Sequence, residues 1–391
     1  MILSDIGNEF ETSFKGLITE WKEFIFIFGA GILGKQLKEE LSTYSIQVKF
    51  IDNDENKIGT IYENVEVISL KEYLSCNLSD MIVIAASQKN IPEIKRQLEY
   101  HGLVHETNYF FYEEFKNKVF PIISAYYYDK SYVSLVQISL TERCTLKCKK
   151  CAHACYAVNH SSQDMTLDDA YKSADSFFSK VDFVGEFVLI GGEPLLYKEL
   201  EKVIQYIGEN YRSQIGIFSI TTNGTIVPSD VVMKMCAKYK VMFRISNYQK
   251  VIPKLKIAYD KLTSELSKNE LTYRLGEVET QWTDYGFDYI DRKASEEELI
   301  KVFDKCQTSC REIRGNRYYF CVMARSVSEN LCLNVGETDY LDLSSLQGDD
   351  YKKDLLKFNL GYLKKGYLDM CNFCHGAERI NYPIPAAEQT E

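Results

Sequence analysis

The chain has 391 residues, of which 45% are hydrophobic and 13% aromatic, with only 21 glycines and 7 prolines. This composition excludes a disordered protein, and the length exceeds what one hydrophobic core usually organises, so we expect two or three domains. The formal net charge of −10 argues against a nucleic-acid partner, since binding phosphate backbones needs a concentrated basic face.

No window approaches the roughly 20 apolar residues that span a bilayer. The first residues also lack a basic stretch followed by an apolar one, so we expect a cytoplasmic protein. In that reducing compartment the twelve cysteines are not expected to form structural disulfides. Ten of them lie between residues 144 and 155 or between 306 and 374, which indicates metal ligation. Cys76 and Cys236 stand alone in apolar segments and are expected to be ordinary buried thiols.

Residues 1–115 are predicted to form a Rossmann-like domain with a parallel sheet. An apolar strand at Phe24–Phe28 leads directly into a glycine turn, a helix follows, and a second strand at 48–51 ends at Asp52. A further strand is predicted at 81–86. This order of strand, glycine turn, helix, strand and acid is typical of a nucleotide site.

In such a site the glycines Gly29, Gly31 and Gly34 form a tight turn that leaves a phosphate at the helix N-terminus. Asp52 is then the expected partner of a ribose hydroxyl. A sheet domain that kept the turn without binding a ligand is the alternative. Residues 28–54 resemble the nucleotide-binding modules attached to enzymes of polysaccharide and nucleotide-sugar metabolism.

Residues 116–131 lose their periodicity and are predicted to be a linker. From 132 to 300 strands and helices alternate, with strands predicted at 133–140, 187–190, 215–221 and 241–245. This alternation predicts a partial (β/α)6 TIM-type barrel whose chemistry lies at the carboxyl ends of the strands. Residues 301–391 are predicted to form a small cysteine-rich auxiliary domain, so the chain as a whole is of the α/β class.

Three cysteines, Cys144, Cys148 and Cys151, follow the first barrel strand on one short loop. A four-iron cluster with three protein thiolates keeps one iron open to an external chelating molecule. A zinc site is the alternative, with four ligands at tight spacing: Cys148, Cys151, His153 and Cys155.

Two further segments follow the next two barrel strands, namely Gly191-Gly192-Glu193-Pro194 and Thr221-Thr222-Asn223-Gly224. With the CxxxCxxC loop, they resemble the radical S-adenosylmethionine (SAM) superfamily. The resemblance implies that Cys144, Cys148 and Cys151 bind a 4Fe–4S cluster.

It also implies that a second segment binds the methionine amino group of SAM: Gly191, Gly192, Glu193 and Pro194. The ribose and carboxylate of SAM are expected to contact polar residues on later strands: Thr222, Asn223, Ser246 and Asn247. Lys150 departs from the family pattern, since the residue before the third cysteine is often aromatic.

The last cysteines resemble the auxiliary-cluster extensions, SPASM and twitch, that follow many radical SAM barrels. Their abbreviated spacing implies one auxiliary 4Fe–4S cluster, and the preferred ligands are Cys310, Cys321, Cys371 and Cys374. Cys306 and Cys332 are candidates for substitution into that set, or for a free thiol that donates hydrogen to a product radical. A zinc ribbon is the alternative.

The resemblance implies an enzyme that generates a 5′-deoxyadenosyl radical. The first hypothesis is hydrogen abstraction from a sugar or nucleotide-sugar, with dehydrogenation, epimerisation or deoxygenation in glycan or polysaccharide biosynthesis. The alternative is a SPASM-type peptide-modifying maturase, although such enzymes often carry a winged leader-binding domain. A non-enzymatic iron–sulfur scaffold or nucleotide sensor is a third reading.

A group of basic residues lies around the cysteine loop: Arg143, Lys147, Lys149 and Lys150. Complementary charge speeds encounters between proteins, so this group is a candidate docking site for an acidic flavodoxin or ferredoxin that supplies the electron. A solvated loop whose charges serve solubility is the alternative.

Overall fold

The computed structural model describes residues 16, 21–76, 80–158, 164–286, 291–306, 308–333, 336–348, 350–376 and 383–390. The described residues up to Lys130 form one compact unit, and those from Ser131 onward form a second. Within these ranges, no helix has the length and apolar character needed to cross a membrane.

The N-terminal unit contains a six-stranded sheet. Its strands are β1 (Phe24–Phe28), β2 (Gln47–Ile51), β3 (Ile61–Tyr62), β4 (Val65–Ile68), β5 (Met81–Ile84) and β6 (Tyr109–Phe111). Their order across the sheet is β3-β4-β2-β1-β5-β6, and all neighbours are parallel except β3 and β4. The parallel strands follow the order 3-2-1-4-5 that is usual in doubly wound sheets.

The helices of this unit are α1 (Ile32–Ser42), α2 (Leu70–Ser75), α3 (Ile91–Tyr100) and α4, which runs through Tyr112–Glu114, Phe115–Val119 and Phe120–Tyr127. Helix α4 occupies most of the predicted linker, so that prediction is corrected. Its middle segment is π-helical, and the wider turn breaks the 3.6-residue spacing by which a helix is recognised in a sequence. Its face is nonetheless apolar, with Phe115 and Phe120 fully buried and stacked 5.6 Å apart.

The C-terminal unit contains an eight-stranded and a two-stranded sheet. Its strands are β7 (Tyr132–Ser139), β8 (Phe183–Ile190), β9 (Ile215–Thr222), β10 (Val241–Asn247), β11 (Tyr273–Val278), β12 (Gln281–Thr283), β13 (Arg311–Arg314), β14 (Arg317–Tyr319), β15 (Tyr340–Asp342) and β16 (Pro383–Pro385). The larger sheet has the order β11-β10-β9-β8-β7-β13-β14-β15, and β12 pairs with β16. The prediction of a mixed α/β chain with parallel sheets is confirmed.

Strands β7 to β11 are parallel neighbours in chain order. They are connected in part by α5 (Leu167–Phe178), α6 (Leu200–Asn210), α7 (Asp230–Tyr239) and α8 (Leu255–Lys268). Because the strands are parallel, their carboxyl ends meet at one edge of the sheet. That edge carries the cysteine loop after β7, the glycine segment after β8 and Asn223 after β9.

The sixth parallel strand is β13, and it pairs with β7 rather than with β11. Its hairpin partner β14 brings Tyr318 into the same core, 5.9 Å from Phe177 of α5 between ring centroids. The predicted boundary at residue 300 therefore does not separate two compact units. The remaining helices are α9 (Glu296–Lys305), α10 (Met323–Val327 and Ser328–Asn330) and α11 (Tyr351–Asn359).

Candidate active site

The cysteine loop follows β7 directly, as predicted. Cys148 is buried, whereas Cys144 and Cys151 are partly exposed. Two amide groups point at Cys144 Sγ, the backbone N–H of Leu146 at 3.4 Å and the side-chain amide of Asn223 at 3.5 Å. Burial raises the pKa of Cys144 to about 12 and that of Cys148 to about 11.

The glycine segment after β8 packs against this loop without room for a side chain. A Cβ on Gly192 would lie 2.4 Å from Arg143 O and 2.9 Å from Cys144 Cβ, and one on Gly191 would lie 2.2 Å from Thr141 O. Gly191 also has a positive φ of 156°, which side-chain-bearing residues rarely adopt. Gly192 N donates to Thr141 O at 2.8 Å. The cysteine loop and the glycine segment are therefore packed directly against each other.

Glu193 is fully buried, and its carboxylate is occupied by the chain itself. It accepts hydrogen bonds from Thr222 Oγ1 at 2.8 Å, Asn223 N at 2.9 Å and Leu195 N at 3.2 Å. Burial raises its pKa to about 7, against the opposing effect of these hydrogen bonds. Glu193 thus connects the end of β8 to the end of β9. Pro194 is buried next to it and begins a short 3-10 turn.

The four polar residues predicted on later strands differ in their contacts. Thr222 bonds to Glu193, and only Asn223 reaches the cysteine loop, where Nδ2 donates to Thr145 Oγ1 at 3.0 Å. Asn247 is turned toward β11, with Nδ2 donating to Gly276 O at 3.1 Å. Ser246, at the end of β10, is partly exposed.

Sequence reasoning missed Gln389, whose Nε2 lies 3.2 Å from Cys148 Sγ. It also missed the buried Arg325 of α10, which forms ion pairs with Glu142 and, at 2.6 Å, with Glu312 of β13. Burial opposes the ionisation of Glu142, but the charge of Arg325 and hydrogen bonds from Asn330 and Arg325 together hold the pKa of that carboxyl below its usual value. The contacts Gln389–Cys148 and Arg325–Glu142 have no local sequence signal, because each joins residues more than 180 positions apart.

The basic residues around the loop are largely paired with acids. Arg143 forms a bidentate ion pair with Asp164, at 2.8 Å and 2.7 Å. Lys149 pairs with Glu388 at 2.8 Å and Lys150 with Asp284 at 3.4 Å. The charge that was predicted to attract an acidic reductant is therefore balanced within the chain at three of its four positions.

The alternative zinc ligands around the loop do not converge. In the described ranges, no three or more side chains among Cys, His, Asp and Glu form a group that could hold one metal ion. A 4Fe–4S cluster differs in this respect, because each thiolate binds a separate iron. The thiol of Cys155 forms a hydrogen bond with Cys151, which lowers the pKa of the Cys151 thiol.

Cys306 acts electrostatically on two of the four predicted C-terminal ligands, Cys321 and Cys371. Burial raises the pKa of Cys321 well above its usual value, and the neighbouring thiols Cys306, Cys374 and Cys371 raise it further. Gly376 lies between two of them, since its N–H donates to Cys374 Sγ at 3.3 Å and a Cβ added to it would lie 3.7 Å from Cys306 Cβ.

Cys310 has charged neighbours instead. Burial raises its pKa, and the charges that act on it most are Arg311, Arg244, Glu186 and Glu312. Cys306 therefore acts on Cys321 as Cys371 and Cys374 do, and the predicted ligand set of Cys310, Cys321, Cys371 and Cys374 stays a prediction. Cys332 is exposed, as is Cys76, which was expected to be buried, while Cys236 is buried as predicted.

In the N-terminal unit the glycine turn lies between β1 and α1. Gly29 has a φ of 127°, and a Cβ on Gly34 would lie 2.1 Å from Gly29 O, so these two glycines allow the turn to pack tightly. A Cβ on Gly31 would meet nothing within 4 Å. Asp52 accepts a hydrogen bond from Ala30 N at 2.9 Å and pairs with Lys57 at 3.1 Å. Asp52, the predicted partner of a ribose hydroxyl, therefore already binds the backbone of the glycine turn.

Two separate parts of the chain match known protein families. Residues 138–246 match the Radical SAM superfamily, and residues 22–107 match the family described as C2185-like, N-terminal. The first match begins in β7 and ends in β10, so it contains the cysteine loop, the glycine segment and Asn223.

The chain is 31% identical over 99 residues to an uncharacterized protein of Methanocaldococcus jannaschii, which covers 25% of this chain and 33% of that protein. It is 31% identical over 93 residues to GTP 3′,8-cyclase of Ectopseudomonas mendocina, covering 24% and 27%. The chain thus spans about a third or less of the length of these relatives.

Among solved structures, BtrN in complex with AdoMet and 2-DOIA is 16% identical, with a TM-score of 0.40 over 64% of this chain and 98% of BtrN. The superfamily match covers the cysteine loop and the glycine segment that the structure brings into contact. Residues 138–246 are therefore the part of the chain that is similar to the Radical SAM superfamily.

Proposed function

We propose that this protein is a radical SAM enzyme that holds a 4Fe–4S cluster on Cys144, Cys148 and Cys151 and uses SAM as its radical source. The contact of Gly192 with Cys144 carries the proposal, because it joins the two binding motifs at the carboxyl edge of the sheet. The donor set suits the cluster, since three thiols share one loop and amide N–H groups point at two of them. When bound, the reduced cluster supplies the electron that releases a 5′-deoxyadenosyl radical from SAM.

The residues of the chain then act as positioning groups. Glu193 holds the glycine segment against the end of β9, and the backbone of Gly191 and Gly192 would hold the methionine end of SAM. Ser246 remains a candidate for the ribose or carboxylate, because its side chain is partly exposed at the end of β10. Thr222 and Asn247 support the site from within the chain, since Thr222 donates a hydrogen bond to Glu193 and Asn247 donates one to Gly276 O.

The proposed substrate is a sugar or nucleotide-sugar that loses a hydrogen atom, with oxidation, epimerisation or deoxygenation as the outcome. Two observations support a nucleotide. A Cβ on Gly31 would meet nothing within 4 Å, so the backbone is open beside the N-terminus of α1, where N–H groups favour an anion. GTP 3′,8-cyclase, to which part of the chain is similar, is named for a nucleotide. A flavodoxin or ferredoxin is the proposed source of the electron.

The proposed auxiliary 4Fe–4S cluster has four ligands: Cys306, Cys321, Cys371 and Cys374. Their mutual proximity supports this set, since the pKa of Cys371 is raised first by burial and then by Cys374 and Cys306 among others. Cys310 is then a free thiol beside Arg244 and Glu186, two charged residues of the barrel strands.

Iron analysis and turnover test the radical SAM assignment. Protein reconstituted without oxygen should contain about eight irons per chain, four for each cluster. A variant with Cys144, Cys148 and Cys151 all replaced by Ala should keep about four. It should also release no 5′-deoxyadenosine from SAM with dithionite. Cys332→Ala, which removes an exposed thiol, is the control and should match the wild type. A triple variant with full iron and normal release would overturn the proposal.

The substrate class is tested separately. Nucleoside diphosphate sugars, free sugars and short peptides should be compared for their ability to raise 5′-deoxyadenosine release above the substrate-free rate. We expect the nucleotide-linked sugars to do so, with transfer of deuterium from the labelled sugar into 5′-deoxyadenosine. Stimulation by peptides alone would favour the maturase alternative.

A further inference from the structure

The segment that follows β16 pairs with the cysteine loop. Cys148 and Gln389 form an antiparallel bridge. On either side of it, Lys149 N donates to Glu388 O and Thr390 N donates to Lys147 O, both at 2.6 Å. Residues 386–390, here called the C-terminal segment, therefore lie along the loop that carries the second of the three cysteines.

The C-terminal segment is itself held in place. β16 pairs with β12, and Ala386 N donates to Thr280 O at 3.1 Å. Ala386 and Ala387 are fully buried. The segment is thus attached both to the cysteine loop and to the end of the barrel sheet.

Within this segment the side chain of Gln389 reaches the sulfur. Its Nε2 lies 3.2 Å from Cys148 Sγ and 2.7 Å from Ala387 O, while its Oε1 accepts from Lys147 N at 2.8 Å. These partners determine the orientation of the amide. If the amide were flipped, Nε2 would face an N–H and Oε1 would face a carbonyl oxygen. An N–H therefore points at the sulfur.

The hydrogen bond from Gln389 to Cys148 lies in surroundings that contain little water. Cys148 is only 8% exposed, and a hydrogen bond in such poorly hydrated surroundings is electrostatically stronger than one in water. Hydrogen bonds to the sulfurs are among the factors that set the reduction potential of an iron–sulfur cluster. An N–H dipole directed at a thiolate favours the more negative, reduced state.

We infer that Gln389 is a positioning residue of the radical SAM site, which holds Cys148 in place and raises the reduction potential of the cluster bound there. The inference rests on the proposed function, because it requires the cluster to be on Cys148. It adds to the active site a residue that is 241 positions away from Cys148 in the sequence.

Two substitutions separate the two contacts of the side chain. Gln389→Leu removes both the donor to Cys148 and the acceptor from Lys147. Gln389→Glu keeps an oxygen for Lys147 N but replaces the N–H donor by a carboxylate oxygen. Glu388→Gln is the matched control, because it removes the ion pair with Lys149 and leaves Gln389 and the backbone pairing intact.

The measurement is a redox titration of the reconstituted full chain, followed by electron paramagnetic resonance. The relevant signal is the one that disappears when Cys144, Cys148 and Cys151 are all replaced by Ala. We expect its midpoint potential to become more negative in both Gln389 variants, and most in Gln389→Glu. Glu388→Gln should show no negative shift.

An unchanged midpoint in both Gln389 variants would overturn the inference. If Gln389→Leu loses the cluster, Gln389→Glu still tests the donor, because its loop contact remains. Loss of cluster iron from both variants, with Glu388→Gln intact, would support the positioning role. A signal that survives in the triple cysteine variant would instead overturn the proposed function, so the two failures are distinguishable.

Discussion

Asn223 Nδ2 lies 3.5 Å from Cys144 Sγ, at the point where the end of β9 meets the cysteine loop. The same side chain bonds to Thr145 Oγ1 at 3.0 Å and accepts from Thr225 N at 3.1 Å. Asn223 is 8% exposed, so its removal leaves polar groups without partners. We expect Asn223→Ala to lower the free energy of unfolding by about 1–3 kcal/mol. Denaturant titration of the metal-free protein measures this.

The control for this prediction is Asn269→Ala. Asn269 caps the end of α8 with one hydrogen bond to a backbone carbonyl, in an exposed position. Its loss should cost no more than about 0.5 kcal/mol. Equal losses in the two variants would show that Asn223 does not connect the strand to the loop.

Gly192→Ala tests the contact between the glycine segment and the loop. The new methyl group would lie 2.4 Å from a backbone oxygen, so one of the two backbones must move. We expect iron to fall from about eight to about four per chain, because the displaced loop no longer presents its thiolates together. Gly31→Ala is the control for iron content, since its methyl group meets nothing within 4 Å. Full iron in Gly192→Ala would contradict the proposed geometry.

Glu193→Gln tests the pH dependence of stability. Burial raises the pKa of Glu193 from about 4.5 to about 7, so the folded state binds the proton more tightly than the unfolded state. Its contribution to stability is complete below about pH 4.5 and is lost as the pH rises to about 7, by up to about 3 kcal/mol.

In the metal-free Glu193→Gln variant this pH dependence should be absent. The unfolding free energy of the variant should therefore rise relative to the wild type between about pH 5 and about pH 8. Glu297→Gln, on the exposed side of α9, should run parallel to the wild type. Parallel curves for Glu193→Gln would mean that Glu193 is ionised throughout this range.

Asp52→Ala is expected to act on both stability and binding. Asp52 holds Ala30 N and pairs with Lys57, so its loss should lower the stability of the N-terminal unit by about 1–2 kcal/mol without any ligand. If Asp52 also binds a ribose, affinity for a nucleoside diphosphate sugar should fall by about 1–3 kcal/mol. Asp52→Asn, which keeps an acceptor for Ala30 N, should lose affinity with less loss of stability. Calorimetry that finds no binding to the wild type would contradict the nucleotide proposal.

Local patterns predicted the parts of the fold that have local causes. The apolar run of β1 is buried as expected, because four of its five residues are at most 1% exposed. The proximity of Cys144 and Gly192 also followed from the sequence, since both come directly after neighbouring parallel strands. Helix α4 was missed because its π-helical turn disrupts the spacing by which a helix is recognised.

Contacts between residues far apart in the sequence could not be predicted from local patterns. Gln389 and Arg325 reach the cysteine loop from the C-terminal part of the chain, and nothing in their neighbouring residues indicates this. The neighbours of Cys306 and Cys310 were likewise not predictable from the sequence. These residues lie four positions apart, so spacing alone did not distinguish them, whereas in the structure Cys306 acts on the pKa of Cys321 and charged residues act on that of Cys310.

The auxiliary ligand set can be tested by comparing these two cysteines. Cys310→Ala should keep about eight irons, whereas Cys306→Ala should fall to about four. Because metal binding and folding are coupled, loss of a ligand could also unfold the surrounding segment. Each variant must therefore be soluble and retain the signal that depends on Cys144, Cys148 and Cys151. Iron loss in Cys310→Ala with full iron in Cys306→Ala would reverse the assignment. Iron loss in Cys306→Ala alone, with the radical SAM signal intact, would place the second cluster among the thiols that the structure groups together.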